Sequence, residues 1–240
     1  MLRAIVTVSI SVIFAASNAF TASLALAQQA QATQPTTTQT RFEAIYLTNT
    51  NSKENRTKAI KNTMLTVGRW YAGQLDGAAP TLVGGKNPTV LTIRNTENAN
   101  KMAHGLKSNG YETGNPESII NGWREKGLIK PDVIPIIFVE GRGGNTCGWT
   151  QQSGLENSNT PTDAHIIIPM DTCRIYPSTS SKFPDGATYL VAHEMGHALG
   201  AEHSYSNSRD LLYDSGNRNW GAIRLSPTER KIISTSPAIS

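Results

Sequence analysis

Residues 193 to 203 read HEMGHALGAEH, and no other stretch constrains the fold so tightly. On a helix, His193 and His197 project from one face, one turn apart. Two imidazoles so placed can take two corners of a tetrahedral metal site. Glu194 is rotated about 100° around the helix from the first histidine, where it can reach a water beside the metal without ligating. Gly200 can end the helix and turn the chain sharply, because glycine tolerates positive φ. That turn can bring His203 back as a third ligand. Three protein ligands leave a fourth position open, which is the arrangement of a catalytic rather than a structural zinc site. The bland alternative is an amphipathic helix whose histidines are polar surface. Chance gives the first five residues of the pattern in somewhat under one in a hundred chains of roughly this size, and the fixed Gly200 and His203 lower that several hundredfold. The metal reading is therefore preferred.

The N-terminus reads as an export signal. Arg3 gives a short positive start, Ile5 to Leu26 carries no charge, and Ala25-Leu26-Ala27 is a small-x-small cleavage pattern before Gln28. A second possible cut follows Ala19. An uncleaved membrane anchor is the alternative, and the Ser, Thr and Asn within the stretch fit it less well. The expectation is a secreted or periplasmic protein with no stable membrane association after signal cleavage. In an oxidising compartment the two cysteines, Cys147 and Cys173, are expected to pair, since neither sits in a Cys-x-x-Cys motif. The formal charge of +4 comes from scattered Lys and Arg, without a basic run. A solvated surface explains it, and nucleic acid is not expected as a partner.

Residues 28–40 have no charge and no large apolar side chain, so they read as a flexible lead-in. Residues 41–240 read as a single domain. Arg41–Thr48, Pro88–Arg94, Asp132–Glu140 and Ala164–Pro169 read as strands, with Pro135 pointing to an edge position or a bulge. Lys53 to Gly73 reads as a helix with Ile60, Met64, Val67 and Tyr71 on one face. Asn95 to Lys107 reads as a short helix, and another starts at Asn115-Pro116 and ends at Gly127. Glu140 to Thr150 is rich in Gly and reads as a loop. Asp185 is the expected N-cap of the motif helix, and Ser226-Pro227-Thr228-Glu229 a capping box that opens a C-terminal helix.

The pattern His-Glu-x-x-His-x-x-Gly-x-x-His resembles that of the metzincin zinc peptidases. Ser204 after the third histidine, Leu211-Leu212-Tyr213 downstream, and Leu225-Ser226 before the last helix resemble the matrixin branch. Leu212 stands where that family has the Met-turn methionine; it is apolar and close in volume, so packing below the metal could survive. The resemblance is strongest from Tyr189 to Tyr213. Over residues 41 to 173 it rests on the order of elements.

That resemblance implies an α/β (α+β), zincin-like fold: a twisted, mostly parallel sheet, with the active-site helix and a C-terminal helix bordering a substrate cleft. It implies one catalytic Zn²⁺ on His193, His197 and His203, with Glu194 as general base, in a monomeric endopeptidase acting on protein or peptide substrates. Substrate would lie extended along an edge strand in the region 141–152, and residues 214–223 would form a pocket wall. Two departures from that family are expected: no cysteine precedes the domain to serve as a matrixin cysteine switch, and with only His104 and His165 outside the motif the second, structural zinc of matrixins is not expected. Tyr213 does not match the zinc-binding tyrosine of astacins and serralysins. The competing functions are a catalytically silent binding protein on the same scaffold, against which the intact Glu194 argues, and a secreted toxin or effector peptidase with one target.

Other candidate residues have blander readings. His165 in an apolar strand reads as packing rather than a ligand, and His104 as an exposed helix residue. Glu229 lies where the third ligand of a thermolysin-like enzyme could fall, but the capping box explains it better. Asp163, Asp171 and Asp185 could bind Ca²⁺, yet form no recognisable loop motif, so caps and turns are expected.

Overall fold

The computed structural model describes residues 39–107, 110–111, 116–141, 144, 146–151, 164–179, 183, 185–213 and 223–240. The export signal, nearly all of the lead-in, Asn115, Asp163 and all but the last residue of the expected pocket wall at 214–223 lie outside those residues.

The elements follow in the order β1 (Arg41–Thr48), α1 (Thr57–Gln74), β2 (Val90–Arg94), α2 (Thr96–His104), β3 (Leu106–Lys107), β4 (Gly110–Tyr111), α3 (Pro116–Glu125), β5 (Val133–Val139), β6 (Trp149–Gln151), β7 (His165–Pro169), α4 (Gly186–Ala198) and α5 (Pro227–Ser234). Five strands form one sheet in the order β2-β1-β5-β7-β6. The β1–β2, β1–β5 and β5–β7 pairs are parallel, and β6 runs antiparallel to β7 at one end of the sheet. Parallel strands need crossovers; α1 lies between β1 and β2, and α2 and α3 lie between β2 and β5, while the described element between β5 and β7 is the strand β6.

The central strands are apolar on both faces, as strands sandwiched between helices must be. On one face Phe42, Ala44 and Tyr46 of β1, Ile134, Ile136 and Phe138 of β5, and Ile166 and Ile168 of β7 pack with α1 and α4. On the other, Ile45, Leu47, Ile137, Val139 and Ile167 pack with Ala99, Met102 and Ala103 of α2 and Ile120 and Trp123 of α3. The α1 stripe of Ile60, Met64, Val67 and Tyr71 is buried as its spacing predicts.

Three local expectations are corrected. Helix α1 starts at Thr57 rather than Lys53, because Asn55 Oδ1 accepts the Thr57 N–H at 3.2 Å and draws the chain into a turn. Helix α2 stops at His104, with Gly105 as its C-cap, and Leu106–Lys107 pair instead with Gly110–Tyr111. Pro135 lies on the middle strand of the sheet, not on an edge or bulge. It is tolerated because it pairs with β1 opposite Glu43, while pairing with β7 begins only at Ile136. At residue 135 the strand carries a ladder on one side only, so the missing N–H costs little.

Candidate metal centre

Helix α4 is set by its cap and its burial. Asp185 Oδ1 accepts the Thr188 N–H at 2.8 Å, and Thr188 Oγ1 accepts the Asp185 N–H at 2.9 Å, a reciprocal capping box. Most of the helix is buried, from Ala187 to Ala198. The buried Tyr71 hydroxyl of α1 donates to the Ala192 carbonyl at 2.8 Å, fixing the helix against its neighbour. Gly200 has φ +99°, a backbone that favours glycine. There the chain turns, with Gly200 N–H on the His197 carbonyl and Ala201 N–H on the Gly196 carbonyl.

That turn brings the three histidines together. The Nε2 atoms lie 3.2 Å apart for His193 and His197, 3.1 Å for His197 and His203, and 3.3 Å for His203 and His193. A tetrahedral zinc with Zn–N bonds of about 2.0–2.1 Å has N–N edges of about 3.3–3.4 Å, close to this triangle. The tautomers agree. His193 Nδ1 lies 2.9 Å from the Leu211 carbonyl and His197 Nδ1 2.8 Å from the Ala201 carbonyl. A carbonyl only accepts, so both Nδ1 atoms carry the proton and both Nε2 lone pairs face the centre. Converging lone pairs repel unless a cation lies between them. The donor set and its shape fit zinc. Among the described residues, this is the one group of three or more His, Cys, Asp or Glu side chains placed to hold a metal ion.

Glu194 is 7 % exposed. Burial raises its carboxyl to about 7, and the hydrogen bond from Thr150 opposes that rise. Thr150 Oγ1 lies 2.7 Å from Glu194 Oε2 and 2.9 Å from the Glu194 carbonyl oxygen. The backbone of Gly148 lies so close that a Cβ there would sit 2.7 Å from Glu194 Oε1 and 2.9 Å from its Cγ.

No protein-family model and no curated protein sequence matches the chain. Among solved structures, it is similar to catalytically inactive OgpA from Akkermansia muciniphila in complex with an O-glycopeptide substrate, glycodrosocin. That likeness has a TM-score of 0.51 and 11% identity, covering 84% of this chain and 61% of that one. It is also similar to metalloproteinase-II from Bacteroides fragilis, with a TM-score of 0.45 and 20% identity over 80% of this chain and 52% of that one. The chain thus spans about half to three-fifths of the length of these structures. A mostly parallel sheet in an α/β fold with an active-site helix and a C-terminal helix is what the sequence led one to expect, and the strand order and the OgpA likeness bear that fold out. The fold is zincin-like.

In this zincin-like fold the Leu211-Leu212-Tyr213 turn lies under α4. Leu211 and Leu212 are fully buried, and the space left by the absent side chain of Gly196 is filled by both leucines. The Tyr189 hydroxyl donates to the same Leu211 carbonyl that receives His193 Nδ1–H, at 3.0 Å. Ser204 N–H meets the Leu212 carbonyl at 2.8 Å, which ties the third-histidine loop to the turn. Glu229 completes its capping box with Ser226, so both of its oxygens are committed to backbone N–H groups.

The remaining candidates fall outside the centre. His165 is buried within β7, and His104 is exposed at the end of α2. Asp171 accepts the Tyr176 hydroxyl at 2.7 Å, and Asp185 is occupied as an N-cap. Cys147 and Cys173 form a disulfide. Among the described residues no helix is long and apolar enough to cross a membrane. Sequence reading missed Tyr189, Gly148 and Thr150. Tyr189, four residues before His193 on one helical face, carried a usable signal; Gly148 and Thr150 did not, because a strand as short as β6 shows no periodicity.

Proposed function

We propose that this chain is an exported, zinc-dependent endopeptidase of the metzincin type, closest to the matrixin branch, that hydrolyses peptide bonds in proteins or peptides. His193, His197 and His203 hold the zinc, and Glu194 is the general base. The observation that carries this reading is the triangle of Nε2 atoms at 3.1–3.3 Å, two of them on the helix that also bears the buried Glu194 carboxylate and the third brought back by the Gly200 turn.

Zinc bound there would supply a Lewis acid for the scissile carbonyl and make an attacking water more acidic. The protein's own share is acid–base work and placement. Glu194 Oε2 is held by Thr150, and the carboxylate takes a proton from the attacking water, then returns it to the leaving amine nitrogen. A carboxyl that burial has raised toward neutrality, and that a neighbouring cation would pull down again, can exchange a proton in both directions near pH 7. Strand β6 ends the sheet beside α4, and an extended substrate can add to such an edge by main-chain hydrogen bonds. The disulfide and the signal-like N-terminus support export.

Chelation tests the reading. The mature protein should cleave unfolded casein, lose that cleavage with 1,10-phenanthroline, and regain it when one equivalent of zinc is restored. Cleavage that survives complete removal of the metal would refute it.

A further inference from the structure

We propose that Gly148 and Thr150, on one side of the strand that borders α4, form the seat of Glu194, and that Thr150 is a positioning residue for the hydrolytic step. The inference rests on the peptidase reading and adds residues that the metal-binding pattern does not contain.

Three observations carry it. The Thr150 hydroxyl spans two atoms of the same residue, lying 2.9 Å from the Glu194 carbonyl oxygen and 2.7 Å from Oε2. A single side chain therefore fixes the carboxylate relative to its own backbone, and so relative to the helix that bears His193 and His197. Gly148 lies two residues before Thr150, on the same side of the extended chain. A Cβ there would lie 2.7 Å from Glu194 Oε1, 2.9 Å from Cγ and 3.0 Å from Cδ, so only glycine lets the carboxylate lie flat against the strand. The strand itself is anchored at both ends of this segment. Cys147 is bonded to Cys173, and Trp149 to Gln151 pair with Ile167 to His165 of β7.

The arrangement divides the carboxylate. Oε2 is tied to Thr150, while Oε1 lies where a Cβ on residue 148 would intrude. A base locked in this way meets the water in one orientation, and a misplacement of about 1 Å can cost about a hundredfold in rate.

Thr150→Val removes the hydroxyl and keeps the shape, Thr150→Ser keeps the hydroxyl, and Gly148→Ala intrudes on Oε1. With zinc loaded, Thr150→Val and Gly148→Ala should each lower kcat about 10–100-fold with KM changed less than about threefold. Thr150→Ser should stay within about threefold of the unmutated enzyme. All three should retain one zinc per chain by mass spectrometry. In the metal-free protein, urea midpoints of Thr150→Val, Glu194→Ala and the double variant should be non-additive, because the two side chains share one bond and each change removes it. Unchanged kcat in Thr150→Val, no rescue by Ser, or additive midpoints would overturn the inference and leave the peptidase reading intact. An unmutated protein that holds zinc and cleaves no peptide would overturn the peptidase reading and the hydrolytic role of Thr150 with it, while the metal-free cycle would still measure the seat.

Discussion

Glu229 Oε1 accepts the backbone N–H of Leu212 at 2.9 Å, across 17 residues of chain. The other oxygen accepts the Ser226 N–H at 2.6 Å. One carboxylate, 3 % exposed, thus joins the start of the C-terminal helix to the turn whose Leu211 carbonyl orients His193. The capping box explains why a Glu stands there, and the turn contact explains why it is buried.

Replacing Glu229 by Ala would leave one buried and one half-buried N–H group without their acceptor. Each such loss costs about 1–3 kcal/mol. The expected outcome is a drop of about 2–4 kcal/mol in unfolding free energy, read from urea titration. Because the turn orients a ligand, zinc affinity measured by chelator competition should also fall, by about tenfold or more. A variant as stable and as zinc-avid as the unmutated protein would show that the turn stands without this carboxylate.

The packing of Gly196 against the turn gives a second expectation. A Cβ at that position would lie 3.2 Å from Leu212 Cδ2 and 3.4 Å from Leu211 Cδ2. Ala is favoured over Gly inside a helix by about 1 kcal/mol, while overpacking a filled core costs about 1–3 kcal/mol. Both leucines are fully buried and have no solvent to move into, so the packing cost should win. Gly196→Ala should be destabilised by about 1 kcal/mol, and Leu212→Val should relieve part of that loss in a double-mutant cycle.

The disulfide ties down the segment that borders Glu194. Replacing both Cys147 and Cys173 by Ala releases a long loop in the unfolded chain and should cost about 3–4 kcal/mol of stability. Because Cys147 directly precedes Gly148, kcat should fall as well, at temperatures where the variant is still fully folded and holds its zinc. Circular dichroism, metal content and initial rates on one sample separate these effects.

Glu194 gives the metal-free protein a pH dependence of known sign. Its folded carboxyl is raised from 4.5 to about 7, so between those values the folded state holds a proton that the unfolded chain has lost. Its contribution is therefore fully present below about pH 4.5 and is lost as pH rises to about 7, amounting to about 3 kcal/mol. The comparison that isolates this carboxyl is with Glu194→Gln, which carries no titratable group there. The difference in unfolding free energy between the two metal-free proteins should shift in favour of the Gln variant as pH rises from 5 to 8.

Much of this was legible in the sequence, for identifiable reasons. The helix stripes of Ile60 to Tyr71 and the capping residues Asp185 and Ser226 act locally, through side-chain spacing and short-range hydrogen bonds, so sequence alone specified them. The three histidines came together as their spacing predicted because one glycine, Gly200, sets the turn. Pro135 was misplaced because an edge inside a central strand depends on where the neighbouring strand starts, which is a tertiary fact. The seat of Glu194 was hidden for the same reason. Gly148 and Thr150 lie 46 and 44 positions before it, the one just before and the other within a strand that is formed by pairing with β7 rather than by its own composition.

The central claim is tested most directly by measuring metal and cleavage on one pair of samples: the mature protein and Glu194→Ala. Zinc by mass spectrometry should be one per chain in both, and unfolded casein should be cut by the unmutated protein alone, with the variant slower by at least about a thousandfold. Glu194→Ala that cleaves as fast as the unmutated protein would contradict the role of the base, and a chain that binds no zinc in either form would contradict the metal centre itself.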